Sequence, residues 1–577
     1  MASIEEKRHS LAHLLAIAAL EHDPKALLSV GPVTEQGFYY DIQFSLGHTP
    51  TPEDFKAFEK VMRKCVNKKL PFIRKNVTPT EARAHFHSNP FKLAIIDDLE
   101  KSDVPITLYE TGDFIDLCAG GHVENTGEID AQSFLLTHLA GAYWRGDEKN
   151  PMLTRVYGLA FETETDLRTY LAQQEEAKKR DHRKLGRELD LFTLSELVGS
   201  GLPLFTPKGC LLRDTLSNYS QTLQAQYGFE RVWTPHMART ELYKHSGHYE
   251  KYPERFEVTS AESDDVFMLK PMNCPHHAQL FARKPWSYRE LPVRYMENTT
   301  NYRDEKSGEL HGLSRVRSLS QDDGHVFCQE KDIEAELRNV VLMVKELYAT
   351  LQLDFYARLS FRDESDKFLG DAKTWERAEA VISKVAKEES LEAVLGPGEA
   401  AFYGPKIDFM VRDSLGREWQ CATVQLDFVQ PERFGLSYVD SDGTEKRPVM
   451  IHKALLGSIE RFLSVYIEHT AGAFPLWLSP VQVKVLPISE KHVTYAEGIL
   501  AELLKSGIRA ELDRSDESLG KKVRNAKVEK VPYFVVLGDQ EVAAETLSVE
   551  HRSKGKIGSL SLSDFLNRLQ TEVAAKQ

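Results

Sequence analysis

The sequence predicts a multidomain protein of mixed α+β and α/β class, with an N-terminal α+β domain, a central antiparallel sheet with helices and a C-terminal α/β domain. At 577 residues, the chain is too long for a single hydrophobic core. Its middle mixes long strand-like runs with amphipathic helices, a mixture typical of α+β domains. After Pro475 the pattern becomes strand, helix, strand, helix, strand, which predicts a small doubly wound domain.

Four segments follow one another along the chain. Residues 1–162 alternate helical and strand patterns, including a helix that Thr51 caps and that has a proline at its first position. Residues 163–186 are rich in charge and in good helix formers, which predicts an exposed linker helix. We expect the largest domain at 187–473 and the last domain at 474–577.

Composition excludes several classes of protein. Hydrophobic residues make up 41% and charged residues 28% of the chain, which is ordinary globular usage rather than that of a disordered protein. No apolar run approaches the roughly 18 residues of a membrane helix, and the start, MASIEEKRHS, lacks the features of a secretory leader. The sequence therefore predicts neither a membrane span nor export. Six scattered cysteines without a C-x-x-C pair favour reduced thiols in the cytoplasm.

The net charge and the local charge of the last domain lead to different expectations about nucleic-acid binding. The formal net charge of −14 argues mildly against such a partner, because phosphate contacts reward Lys and Arg. The last domain, however, is nearly neutral and has a basic cluster between Lys521 and Lys530. Composition by itself favours a solvated helix face for this cluster, and contact with a nucleic acid is the alternative.

An arginine-rich hairpin is the first sign of chemistry. Arg303 and Glu305 are followed, after a polar turn with glycines, by Arg315 and Arg317. Two strands joined by such a loop would bring several guanidiniums to one surface, and a guanidinium binds phosphate oxygens in pairs. The residues alone leave a polyphosphate site and a solvated surface both open.

This hairpin resembles motif 2 of class II aminoacyl-tRNA synthetases, an Arg-x-Glu hairpin that closes on a second Arg. The segment YGFERVWTPHM resembles motif 1, and HKALLGSIERF, which contains Arg461, resembles motif 3. Within that class, the chain resembles the threonyl-tRNA synthetase family over nearly its whole length, in the strings LKPMNCPHH, LHGLSRVR, QDDGHVF, FYGPKIDF, WQCATVQLDF and MIHKALLGS. The resemblance implies a cytoplasmic, homodimeric ligase built on a class II antiparallel sheet, which uses ATP to join L-threonine to tRNA(Thr) through threonyl-adenylate.

The resemblance also implies roles around ATP, which is used together with Mg²⁺. Arg303 would hold the α-phosphate and the threonine carboxylate, Glu305 would read the adenine amino group, and Arg315 with Arg461 would hold the outer phosphate and the adenine face. Such catalysis consists of positioning and charge neutralisation. Leu319 departs from the family, which usually has a Phe that stacks on adenine, and weaker ATP affinity is the expectation. Further active-site positions implied by the resemblance are Met272, Gln321, Tyr403, Lys406, Gln420, Gln425 and Ser458.

Cys274, His325 and His452 lie far apart in the sequence, and each by itself is more typical of a core residue than of a ligand. The family resemblance implies instead that they bind one zinc ion per subunit, for which one thiolate and two imidazoles are suitable ligands. The amine and hydroxyl of threonine would complete the coordination, with Asp323 close by. Valine lacks the hydroxyl and would be rejected. Serine lacks only a methyl group, a difference of roughly 1–3 kcal/mol, and would be activated as well.

The first domain contains a second group of histidines and a cysteine. His9 and His13 would share one face of a helix, and Cys118 and His122 supply two more side chains of the same chemical type. These residues fit a four-ligand zinc site or a hydrolytic pocket, and unrelated surface histidines are the third interpretation. The segment resembles the editing domain of threonyl- and alanyl-tRNA synthetases, whose threonyl branch hydrolyses seryl-tRNA(Thr) without metal. Three further residues match functional positions of that branch: Tyr40, Lys92 and Asp116.

The C-terminal domain resembles the anticodon-binding domain of class IIa synthetases less closely. Glu550 stands where the family commonly has an Arg, so we expect Arg552 and the basic cluster to take a larger share of the anticodon contact. Many bacterial members have a small extra domain before the editing domain, and we expect this chain to lack it. Two rivals are a paralogue that regulates or only edits, and another class II specificity such as prolyl or seryl. The retained arginines and the Cys/His/His set argue against them.

Overall fold

The computed structural model describes residues 2–365 and 367–577. The chain forms two compact units, Met1–Glu175 and Glu176–Gln577. Among the described residues, no helix has both the length and the apolar character required to cross a membrane.

The first unit packs helices against two antiparallel sheets. Its helices are α1 (Ile4–His22), α2 (Phe55–Asn67), α3 (Pro79–His85) and α4 (Pro90–Lys101). Its strands are β1 (Leu27–Leu28), β2 (Val33–Thr34), β3 (Gly37–Gln43), β4 (Ile73–Val77), β5 (Ile106–Thr111), β6 (Phe114–Leu117), β7 (Phe134–Tyr143) and β8 (Met152–Ala160). One sheet has the order β1-β3-β8-β7, with β2 paired to β3, and the other has the order β4-β5-β6.

Helix α1 forms much of the core of this unit. It begins after a capping box, in which the Ser3 hydroxyl accepts from the Glu6 N–H and the Glu6 carboxylate accepts from the Ser3 N–H. Its apolar residues pack in one cluster with Phe38 and Ile42 of β3. This packing fixes the position of the histidines that lie on the same helix.

The charged segment 163–186 forms two helices rather than the single helix that we expected, α5 (Glu164–Arg180) and α6 (His182–Glu188). Asp181 separates them with a non-helical backbone, and its carboxylate accepts the Arg183 N–H at 2.8 Å. An Asp in this geometry is a helix N-cap, so the chain restarts a helix at this point instead of continuing one.

The remaining elements belong to the second unit. The helices are α7 (Pro207–Gln226), α8 (Thr240–Ser246), α9 (His248–Lys251), α10 (Cys274–Phe281), α11 (Ile333–Leu351), α12 (Ala372–Glu388), α13 (Val429–Arg433), α14 (Ile459–Thr470), α15 (Val493–Lys505), α16 (Leu519–Val528), α17 (Asp539–Ala544) and α18 (Leu562–Ala574). The strands are β9 (Phe192–Thr193), β10 (Leu204–Phe205), β11 (Glu230–Arg231), β12 (Met237–Arg239), β13 (Glu257–Thr259), β14 (Val266–Leu269), β15 (Val293–Tyr302), β16 (Ser318–Cys328), β17 (Asp354–Phe361), β18 (Ala393–Pro397), β19 (Lys406–Arg412), β20 (Glu418–Asp427), β21 (Tyr438–Val439), β22 (Glu445–Lys446), β23 (Val449–Ser458), β24 (Val483–Pro487), β25 (Ala510–Leu512), β26 (Tyr533–Leu537), β27 (Leu547–His551) and β28 (Gly555–Leu560).

A large sheet forms the centre of this unit, in the order β11-β15-β16-β23-β20-β19-β17-β18. Its inner pairs are antiparallel, and the outermost pair at each edge is parallel. Helix α11 is buried at Leu337, Val341, Val344 and Tyr348, positions three or four apart that share one face of a helix. The predicted central antiparallel sheet with helices is therefore confirmed.

The C-terminal part has a five-stranded sheet in the order β25-β24-β26-β27-β28. The first three of these strands are parallel and are connected through α15 and α16, as the strand–helix alternation predicts. The last two are antiparallel, so the sheet is mixed.

Candidate functional site

The loop that joins β15 to β16 carries the hairpin predicted to bind ATP. These strands are antiparallel neighbours, so the residues at the two ends of the loop are close in space. Nε of Arg315 donates to the Glu305 carboxylate at 2.9 Å. Nε of Arg461, in the first turn of α14, donates to the Ser314 carbonyl at 3.0 Å. The structure therefore brings Arg461 to this loop from 147 residues away.

Arg303 adds a third guanidinium with an unused donor. Its Nε is buried and has no hydrogen-bond partner among the described residues, while a terminal nitrogen lies 3.2 Å from Sδ of Met272. Burial lowers the pKa of Arg461, and the charges of Arg303 and Arg315 lower it further. An anionic ligand would neutralise part of this positive charge and would accept a hydrogen bond from the unpaired N–H group.

Cys274, His325 and His452 form a buried group whose potential ligand atoms all lie within 4.8 Å of one another. His325 on β16 is directly opposite His452 on β23, and Cys274 is the first residue of α10. Nε2 of His325 and Nδ1 of His452 are 3.0 Å apart. One thiol and two imidazoles that converge in this way form a donor set suited to zinc, with a coordination position left for another ligand.

The outer nitrogen of each histidine has its own partner. Nε2 of His452 is 2.8 Å from the Asp427 carboxylate. Nδ1 of His325 is 2.8 Å from His277, whose other nitrogen lies 3.3 Å from Glu297. Partners of this kind fix the tautomer and the ring orientation of metal-binding histidines. We did not predict these outer residues, although His277 and Asp427 both lie in strings that carry the family resemblance, LKPMNCPHH and WQCATVQLDF.

The electrostatics of this group favour a cation. Burial raises the pKa of the Cys274 thiol well above its ordinary value, and the carboxylates of Asp323 and Asp427 raise it further. Burial also raises the pKa of Asp323. A divalent ion would counter both shifts because it stabilises the thiolate and the carboxylate.

Tyr403 contacts the same group, and Gln321 lies farther along β16. Tyr403 stacks on His452, with ring centroids 4.8 Å apart, and its hydroxyl donates to Gln425 at 2.5 Å. Gln321 lies on β16, where its side-chain oxygen accepts from Asn301 at 3.1 Å. These contacts hold the two side chains in place.

A buried carboxylate orders the polar side chains of the neighbouring strands. Nζ of Lys406 and Nε2 of Gln420 each lie 2.7 Å from Asp408, which is fully buried and which the sequence did not single out. Ser458 caps α14, where its hydroxyl oxygen accepts the Arg461 N–H at 3.2 Å. The structure thus places most of the predicted substrate residues on neighbouring strands of the central sheet and at the start of α14, with Met272 and Tyr403 in loops.

His9, His13, Cys118 and His122 form a second group, in the first unit, again with potential ligand atoms within 4.8 Å of one another. Sγ of Cys118 lies 3.4 Å from His9 and 3.2 Å from His122. Burial lowers the pKa of His122 to about 2, and His13 and His9 contribute to the shift. Burial raises the pKa of the Cys118 thiol to about 11. The group is therefore uncharged near neutral pH, and its spacing is compatible with either a metal site or a hydrolytic pocket.

A cleft of about 400 Å³ opens beside this group. Lys92 and Asp116 line it as an ion pair, with Nζ 2.5 Å from the carboxylate, and the Tyr40 hydroxyl donates to the same carboxylate. Six of the seven residues predicted in this domain line the cleft. The seventh, His122, contacts Cys118.

Arg552 and one lysine of the C-terminal basic cluster are bonded within the chain. Arg552 donates to the backbone carbonyls of Lys530 and of residues 473–474, so its guanidinium binds the chain itself. Glu550 pairs with Lys527 at 2.9 Å. These bonds use three of the five N–H donors of Arg552 and favour a structural role for it, while its share in the anticodon contact stays a prediction.

Three family models match the chain. The tRNA synthetase class II core domain (G, H, P, S and T) matches residues 249–470, and the anticodon binding domain matches residues 482–572. The threonyl and alanyl tRNA synthetase second additional domain matches residues 106–157.

Individual relatives cover nearly the whole chain. The threonine–tRNA ligase of Gloeobacter violaceus is 48% identical over 99% of this chain and 92% of its own length. That of Thermus thermophilus is 48% identical over 97% of this chain and 87% of its own length. Among solved structures, the RNA binding domain of threonyl-tRNA synthetase from Cryptosporidium parvum Iowa II is 36% identical, with a TM-score of 0.65, and the match covers 68% of this chain and 98% of that one.

Proposed function

This chain belongs to the threonine–tRNA ligase family, and on that premise we propose that it catalyses the ligation of L-threonine to tRNA(Thr). It activates threonine with ATP to threonyl-adenylate, transfers threonine to the tRNA, and hydrolyses mischarged seryl-tRNA(Thr) at a separate site. The observation that carries the proposal is the convergence of three arginines, from the β15–β16 loop and the start of α14, beside a buried Cys/His/His group.

In the first step, a carboxylate oxygen of threonine attacks the α-phosphorus of ATP, and the bond from that phosphorus to pyrophosphate breaks. Arg303 would neutralise the α-phosphate with its unused Nε, while Arg315 and Arg461 would hold the outer phosphate and the adenine. Mg²⁺, when bound with ATP, supplies further charge neutralisation. A preorganised set of cations stabilises the charge that develops in the transition state and needs no protein nucleophile.

The buried group Cys274, His325 and His452 would hold zinc, which supplies a Lewis acid for the amine and hydroxyl of threonine. Asp427 and His277 would keep the two imidazoles in the metal-binding tautomers. A site that recognises the hydroxyl rejects valine strongly, since valine leaves the polar groups unpaired. Serine satisfies the same contacts, so this pocket alone is a weak filter against it.

The N-terminal cleft would remove the resulting seryl-tRNA. Water attacks the ester carbonyl carbon, the bond to the ribose oxygen breaks, and that oxygen takes up a proton. His9 and His13 are neutral near pH 7, since burial lowers the pKa of each, and a neutral imidazole can accept a hydrogen bond from water. Lys92 holds the Asp116 carboxylate in place.

Domain limits and assembly are part of the same proposal. We assign editing to 1–162, the linker to 163–186, catalysis to 187–473 and anticodon binding to 474–577. A homodimer is supported by two large apolar side chains exposed in the motif 1 segment, Trp233 at 73% and Met237 at 49%, since motif 1 forms the dimer interface in the class that the chain resembles. Action in the cytoplasm is supported by six cysteines that form no disulfide.

The test is amino-acid-dependent exchange of pyrophosphate into ATP by the full-length protein, with threonine, serine, valine and proline. We expect exchange with threonine, weaker exchange with serine, and none above background with valine or proline. Exchange driven best by proline would point to another class II specificity. Absence of exchange with every amino acid, in protein that binds tRNA, would point to a regulatory paralogue and overturn the proposal.

A further inference from the structure

A buried histidine connects the motif 2 loop to the far end of the motif 3 helix. His182, the first residue of α6, is 1% exposed. Its Nδ1 lies 2.6 Å from the carboxylate of Glu468, near the end of α14, and its Nε2 accepts the N–H of Leu313 at 3.0 Å. The other carboxylate oxygen of Glu468 accepts from Arg417. One imidazole is therefore bonded to two segments that each carry a predicted ATP contact.

These contacts define the role of each ring nitrogen. The Leu313 N–H is a donor, so Nε2 must be the unprotonated nitrogen, and Nδ1–H then donates to Glu468. Both ring nitrogens are used, which leaves neither free for a metal ion, although Asp181 is also nearby. The fit is close at the loop: a Cβ on Gly312 would lie 2.1 Å from Nε2, and Gly312 has φ +51°. Glycine at this position lets the loop backbone approach the ring.

The residues after Leu313 are those that the ATP site needs. The carbonyl of Ser314 accepts from Arg461, and Arg315 pairs with Glu305. A loop fixed at Leu313 holds both of these contacts in register, because only one residue separates the anchor from Arg315. A loop released at this point can move away from α14 while the strands on either side stay paired.

We propose that His182 is a positioning residue for ATP, which acts by anchoring the motif 2 loop at Leu313 to α14 through Glu468. This inference rests on the proposed function, since it takes Arg315 and Arg461 as ATP contacts. Threonine binding should depend little on His182, because the Cys/His/His group is carried by β16, β23 and α10 instead.

The test compares His182→Asn with His182→Gln in the threonine-dependent exchange assay. A Gln side chain can place its amide oxygen where Nε2 lies and keep the Leu313 bond, whereas Asn reaches only the position of Nδ1 and loses the Leu313 bond. In both variants the backbone N–H of residue 182 still donates to the Glu468 carboxylate, at 3.0 Å in the parent, so only H182Q keeps the loop tied to α14. Loss of one buried hydrogen bond corresponds to about a tenfold change. We therefore expect H182N and H182A to raise the KM for ATP about tenfold, H182Q to stay within about threefold of the parent, and the KM for threonine to change less than the KM for ATP.

A control separates positioning from general loss of stability. His492 is 3% exposed and hydrogen-bonded to Ser489 and Asp539 in the C-terminal domain, so H492A should lower the melting temperature without moving the KM for ATP. Equal effects of H182N and H182Q on that KM, or effects equal to those of H492A, would overturn the proposal. If H182A does not fold, the Asn and Gln pair decides. If the parent protein shows no threonine-dependent exchange, the proposed function itself is refuted. If the parent is active and the His182 variants have its KM for ATP, only the role of His182 is refuted.

Discussion

The carboxylate of Asp427 offers a direct test of the proposed zinc site, because it touches a ligand and not the metal. One of its oxygens faces Nε2 of His452 at 2.8 Å, and the other accepts the N–H groups of Val429 and Gln430 at 2.7 and 2.9 Å. In Asp427→Asn the amide oxygen would keep the two backbone bonds. The NH₂ group would then face His452, donor against donor.

The expected magnitude follows from this geometry. To accept from the new amide, His452 must carry its proton on Nδ1, the nitrogen that faces His325 at 3.0 Å and that would bind the metal. Loss of an outer partner typically weakens metal binding about 10- to 100-fold, which corresponds to roughly 1.4–2.7 kcal/mol. The fold should persist, since the backbone bonds of the side chain are retained.

The assay is zinc affinity by competition with a chromophoric chelator, together with metal content per chain. We expect one zinc per parent chain, about 10- to 100-fold weaker binding in D427N, and no zinc at this site in a Cys274→Ala, His325→Ala double variant. Glu336→Gln, which alters another buried carboxylate, is the matched control. Unchanged affinity in D427N would refute the tautomer argument, and full zinc in the double variant would refute the site.

Four further results are expected. His9→Ala with Cys118→Ala should charge threonine at a near-parental rate but accumulate seryl-tRNA, and a double variant that still deacylates preformed seryl-tRNA at full rate would exclude the cleft as the editing site. Arg552→Ala should lower the free energy of unfolding by about 2–3 kcal/mol and leave the preference for native over anticodon-mutated tRNA unchanged. A changed preference would show that Arg552 contacts the anticodon. Leu319→Phe should lower the KM for ATP by up to about tenfold through aromatic stacking, and an unchanged KM would show that the adenine lies elsewhere. Burial lowers the pKa of His122 from 6.5 to about 2, so below pH 6.5 the unfolded chain binds a proton that the folded chain does not. The free energy of unfolding of the first unit should therefore fall as the pH falls below 6.5. A His122→Asn variant should lose part of this dependence of the unfolding free energy on pH.

The fold class could be predicted because it depends on local or repeated patterns, whereas most of the site residues were implied only by the family resemblance. Helical spacing put His9 and His13 on one face, and the hairpin placed Arg303 and Arg315 together. The role of Asp427 could not be predicted in this way. Its contact with His452 depends on the pairing of β20 with β23, and no local period encodes which strands become neighbours. The same holds for Arg552, whose partners lie on segments 22 and 79 residues away.

The types of donor atom alone do not decide whether either of the two Cys/His groups binds a metal ion. Both have ligand atoms within 4.8 Å, so spacing does not separate a metal site from a hydrolytic one. Their surroundings differ. The Cys274 thiol is close enough to the carboxylates of Asp323 and Asp427 for both to raise its pKa, so two negative groups favour a cation there.

In the N-terminal group, the nearby carboxylate is already neutralised. Asp116 is bonded to Lys92 at 2.5 Å, and the positive charge of Lys92 contributes to lowering the pKa of His13. A divalent ion placed among His9, His13 and Cys118 would meet that ammonium without a free carboxylate to balance it. Within the part of the chain that the structure describes, moreover, Nδ1 of His13 has no hydrogen-bond partner to fix a metal-binding tautomer. The electrostatics of the cleft therefore favour an uncharged hydrolytic pocket over a second zinc site, and metal content of the Cys274→Ala, His325→Ala variant measures this difference directly, since any zinc that it retains must be bound elsewhere.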